Sequence, residues 1–81
     1  MPPPMFGTLC EQYRQFPLEE LLRLRQMRLK RIETIKSIHV TLANSGALVL
    51  TEVGKSELRY VKAHLAAISA VISELQKQEQ V

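Results

Sequence analysis

Leu58, Val61, Leu65, Ile68, Ile72 and Leu75 recur at spacings of 3, 4, 3, 4 and 3. That alternation is the a/d seam of a packed helix; a strand, whose side chains change face at every residue, cannot show it. The segment is therefore expected to be helical and to have something to pack on. Ala63, Ala66, Ala67 and Ala70 widen the apolar surface, and from Ala63 through Ser73 only His64 can carry a charge. A helix that is apolar on most sides is normally covered on most sides.

A second helix is expected upstream. Phe16-Pro17-Leu18-Glu19-Glu20 has the marks of a helix start: proline is tolerated at the first helical position, and two carboxylates face the positive end of the dipole. The next break is Asn44-Ser45-Gly46, whose Asn and Gly suit the left-handed residue of a helix C-cap. Helix one is thus expected over about 17–43, the connection over about 44–54 and helix two over about 55–78. Residues 1–16, with three of the four prolines, are expected to form an irregular arm before a helical hairpin domain at 17–79. Thr51 and Ser56 are both candidate caps for helix two.

On a wheel, Leu18, Leu21, Leu22, Leu29, Ile32, His39 and Ala43 share a face, widened by Leu24, Ile35, Ile38 and Leu42. Two antiparallel helices cannot cover both apolar faces. The expected fold is all-α, an antiparallel two-helix hairpin completed to a four-helix bundle by dimerisation or by a partner. Self-association is assigned to Leu58, Val61, Leu65, Ile68, Ile72 and Leu75. The alternative is α+β, with Ala47–Thr51 and Ser56–Val61 forming a short β-hairpin between two helices through Glu52-Val53-Gly54-Lys55. On that alternative, Ser45-Gly46, two short strands and a helix from Tyr60 through Ile68 to Glu74-Leu75 resemble the small phage head-tail joining proteins. These place a β-hairpin between two helices. The resemblance covers fewer than half of the residues and implies a phage structural or assembly role.

Chemistry is sparse. All eight acidic residues are Glu, and Cys10 is the single cysteine, so neither an internal disulfide nor a cysteine metal cluster is expected. Gly54-Lys55-Ser56 echoes the end of a phosphate-binding loop, but Val49 stands where that loop needs a glycine. His39 and His64 lack the further ligands of a metal site and read as structural histidines. No catalytic set is visible, so an enzyme, a cofactor and a metal are not expected. No uncharged apolar run reaches the roughly 18 to 20 residues of a membrane span. Met1–Cys10 lacks the basic start and small residue before Cys10 of a lipoprotein leader. The expected setting is cytoplasmic, of a bacterium or a virus-infected host cell, with no membrane partner.

One charged run stands out. Arg23, Arg25, Arg28, Lys30 and Arg31 fall within nine residues, and the net charge of +3 comes from the first half of the chain. At 100° per residue the five spread around a helix, with Arg25 and Arg28 leaning toward its apolar arc and Arg23 and Lys30 pointing away. Arginine beside apolar anchors suits the centre of a protein interface. The expected function is a small non-enzymatic interaction module, an inhibitor, adaptor or assembly factor, docking through Leu24, Arg25, Met27, Arg28, Arg31 and Ile38. The alternative is a nucleic-acid-binding regulatory protein with the run as a phosphate clamp.

Overall fold

The computed structural model describes residues 5–79. The chain folds as α1 (Phe6–Tyr13), α2 (Leu18–Ile38), β1 (Val40–Leu42), β2 (Leu48–Leu50) and α3 (Glu52–Glu79). Of the described residues 76% are helical, in three helices, and the rest include one two-stranded sheet.

α3 is the spine. Its seam faces α2, and the pairing of residues shows the two helices to be antiparallel: Gly54 approaches His39, Glu57 reaches Arg31, and Leu21 shares a cluster with Ile68 and Ile72. The main core holds Leu9, Cys10, Tyr13, Leu21, Ala67, Ile68, Val71 and Ile72, all buried. Ile35 and Val61 are also buried. Burying a whole Leu, Ile or Val side chain contributes about 1.5–3 kcal/mol, so these few residues dominate a thin core.

Two expectations are corrected. Within the supposed irregular arm of residues 1–16, Phe6–Tyr13 form a helix; residues 1–4 lie outside the described residues. Leu9, Cys10 and Tyr13 follow helical spacing and are buried together, and Arg14 ties the end of α1 to Glu74 of α3 at 3.0 Å. Eight residues are too few to hold a helix in water by themselves. Packing on α3 holds this one.

Helix one also ends at Ile38 rather than near residue 43. His39 leaves the helical region, and the β-branched Val40 and Thr41 lead into an antiparallel ladder pairing Val40 with Leu50, Thr41 with Val49 and Leu42 with Leu48. Asn44-Ser45-Gly46 is the tip of this hairpin, not a helix cap. The Gly46 N–H donates to the Ala43 carbonyl at 2.9 Å, and Gly46 takes the left-handed conformation at φ 84°. A tight turn followed by a left-handed glycine is a common three-residue hairpin loop. So a β-hairpin does lie between two helices, as the α+β alternative has it: β2 falls within the Ala47–Thr51 strand expected, but its partner is Val40–Leu42 upstream instead of Ser56–Val61. Ser56–Val61 belongs to α3, which removes the second strand on which the phage resemblance rested.

Thr51 starts α3. Its N–H donates to the His39 carbonyl at 2.9 Å, closing the base of the hairpin, while its Oγ1 accepts the Gly54 N–H at 3.1 Å. Of the two candidate caps the fold uses Thr51, and it does so three residues earlier than the expected helix start. The closeness of this joint explains Gly54. A Cβ there would lie 2.8 Å from the His39 Cβ and 3.0 Å from its carbonyl oxygen. The glycine in Gly54-Lys55-Ser56 serves helix packing.

Candidate docking groove between α2 and α3

Leu24, Met27, Arg28 and Arg31 from α2 line an open groove of about 580 Å3 together with Ser56, Glu57, Tyr60 and Val61 from α3. Four of the six residues singled out for partner docking therefore meet in one place. Arg25 is half-buried outside this lining, and Ile38 is exposed at the far end of α2 beside the hairpin. The spacing explains the split. Leu24, Met27, Arg28 and Arg31 follow each other at 3, 1 and 3 residues and keep to one flank of the helix, whereas Arg25 is rotated to the other.

Charges in the groove are unequally satisfied. Arg31 donates to the Glu57 carboxylate at 2.9 Å, and His39 Nε2 lies 3.5 Å from the same group. Arg23 pairs with Glu20. Among the described residues Arg28 has no carboxylate partner, although it is only half-exposed. The five cations of the run thus do not make one basic surface: Arg23 and Arg31 are held in ion pairs, Arg28 lines the groove, Arg25 is half-buried outside its lining, and Lys30 is exposed elsewhere on α2.

Behind the groove wall sits His64. Its ring lies against Tyr60 at 4.4 Å and meets the edge of Tyr13 at 5.8 Å. Its Nδ1 is 2.6 Å from the Tyr13 hydroxyl, so α1 is fastened to α3 by a buried polar contact as well as by apolar packing. His64 is only 7% exposed, and its Nε2 is buried with no hydrogen-bond partner among the described residues. Burial, and then the positive charge of Arg28, push its pKa below the ordinary histidine value. At neutral pH the ring is uncharged. His64 joins α1 to α3, touching Tyr13 from α1 and Tyr60 on its own helix.

The self-association residues have a different fate from the one expected. Val61, Ile68 and Ile72 are buried inside the chain, and Leu58, Leu65 and Leu75 are half-buried. A side chain wholly buried against α1 and α2 cannot also be a contact between copies. α1 covers the seam at Ile68 and Ile72, while Leu58, Leu65 and Leu75 stay partly exposed.

Tyr60, Glu57 and Ser56 were not singled out from the sequence as groove residues. The signal for Tyr60 was present: it lies four residues before His64 and next to seam residue Val61, so an aromatic had to emerge at the edge of the interhelical contact. Among the described residues no three of His, Cys or Glu come together as a metal site would require, and no helix is long and apolar enough to cross a membrane. No family model, curated protein or solved structure matches the chain.

Proposed function

We propose that the protein is a small interaction module whose α2/α3 groove receives a segment of another protein. The observation that carries this reading is the half-exposed, carboxylate-free Arg28 set among Leu24, Met27 and Tyr60. An arginine and a tyrosine beside apolar anchors are the residue types that dominate binding energy at interface centres. Glu57 is already shared by Arg31 and His39, so the charge left to satisfy in the groove is positive. A partner segment that presents apolar side chains and one carboxylate complements it. If that segment is helical, it lies beside α2 and α3 and builds toward the four-helix bundle that the apolar faces call for.

The test is recovery of partners from the native host with wild type and a Met27→Glu, Arg28→Glu variant. Arg31 is left intact because its loss would also break the ion pair with Glu57. The expected result is a nuclease-resistant protein partner that survives a rise from about 150 to about 500 mM salt and is lost in the variant. Phosphate-dominated binding would fall steeply over that range. Recovery of nucleic acid alone, released by salt, overturns the reading.

A further inference from the structure

The eight residues of α1 are too few to stay helical in water, so the helix exists only while it is docked, and it packs chiefly on α3. Leu9, Cys10 and Tyr13 supply the apolar part of that contact. Two polar fastenings complete it: Arg14 to Glu74 at the surface, and the Tyr13 hydroxyl to His64 Nδ1 in the interior. Only the interior one holds a group that titrates near neutrality. Ile35 of α2 and Val61 of α3 are buried outside the cluster that contains α1, and the connection at 14–17 is short, so α1 is able to swing away while α2 and α3 stay paired. Whichever nitrogen carries the proton of the neutral His64 ring, the charged ring has an N–H at both, and Nε2 meets no acceptor among the described residues. Its surroundings give no relief. Tyr13 from α1 and Tyr60 on α3 bring phenol rings, no carboxylate among the described residues pairs with it, and the charge that acts on it, Arg28 of α2, is positive. A charged ring therefore needs water, and α1 is the cover whose removal admits it.

We propose that α1 is an acid-released cover: when His64 takes up a proton, α1 leaves α3 while α2 and α3 stay paired, and the seam at Ile68 and Ile72 is uncovered. The direction follows from linkage. With α1 released the ring moves back toward the ordinary histidine value of about 6.5; with α1 docked, burial and then Arg28 hold the value lower. Between the two the released state binds more protons, so acid favours release, by up to about tenfold for each pH unit. The surface fastening does not let go in the same window, because the Arg14 guanidinium holds the Glu74 carboxyl below the usual carboxylate range. No step requires an occupant in the groove.

Cys10 reports the release, since its thiol is buried while α1 is docked. Its rate with dipyridyl disulfide, which modifies thiols in mild acid, is measured on the full chain from about pH 7.5 to about pH 5 and divided by the rate for a peptide of residues 6–13 at the same pH. The ratio should rise about tenfold as the pH falls, while helical circular dichroism loses no more than the eight residues of α1 contribute. His64→Gln should flatten the ratio, and Arg14→Gln should raise it at every pH without changing its slope. Should His64→Gln leave α1 undocked throughout, amide exchange of the wild type decides: corrected for intrinsic rates, Cys10 and Tyr13 should lose protection in acid while Ile35 and Val61 keep theirs. A ratio indifferent to pH, a slope as steep in His64→Gln as in wild type, or protection lost at Ile35 and Val61 together with α1 overturns the proposal.

Discussion

His64 is a buried ionisable ring with one nitrogen hydrogen-bonded to Tyr13 and the other without a partner among the described residues, and its protonation state is coupled to the fold. In the unfolded chain a histidine takes up a proton as pH falls through about 6.5. In the folded chain it does so only at lower pH, because burial and then Arg28 disfavour the charge. The unfolded state therefore binds more protons in that window, and stability falls as acid is added. The urea midpoint should be flat above about pH 7 and drop toward pH 5, and His64→Gln should remove most of that slope. An equal slope in the variant would show that other groups carry it. The glycines give a second residue-scale test. Gly54→Ala forces a Cβ against the His39 Cβ and carbonyl oxygen and should cost about 1–3 kcal/mol in urea unfolding. Gly7→Ala, where a Cβ meets nothing within 4 Å inside α1, should instead stabilise by about 0.5–1 kcal/mol. At this scale the sequence was partly legible. Gly46 was read as a left-handed position, but the same need arises in a helix cap and in a hairpin turn, and only the pairing of Val40–Leu42 with Leu48–Leu50 decides between them.

At the scale of elements, long periodic runs could be read and short ones could not. α3 announces itself through five regular steps of its seam, and α2 through its start at Pro17 and the two glutamates behind it. α1 has only Leu9, Cys10 and Tyr13 to show, after a proline-rich beginning, and its stability comes from contacts with residues more than fifty positions away. Local pattern cannot report such contacts. Because α1 covers part of the seam, loosening it should be visible at the seam. Leu9→Ala should cost about 2–5 kcal/mol and make the buried Cys10 thiol react faster with a thiol reagent under native conditions. Ile68→Ala should cost a similar amount. If Cys10 reacts at its unfolded rate in wild type, α1 does not dock as described.

On the scale of the whole molecule, the fold measures 55 × 24 × 16 Å and buries Val61, Ile68 and Ile72 of its seam, leaving two uncovered features in different places: the groove beside Arg28 and the apolar hairpin end. The groove was legible in its α2 half, because Leu24, Met27, Arg28 and Arg31 keep one flank of a single helix. Its α3 half was not, since that requires knowing which turns of the two helices lie side by side, and the hairpin that fixes this register was placed elsewhere in the chain. Partner docking at the groove is the central claim. A photo-crosslinking side chain placed at Met27 tests it most directly, against a control at Lys62, which is exposed on α3 away from the groove lining. Exposed to light in the native host, the Met27 probe should yield one discrete protein adduct, abolished by Arg28→Glu, while the Lys62 probe yields none. Adducts of equal yield from both positions, or none from Met27, would contradict the account.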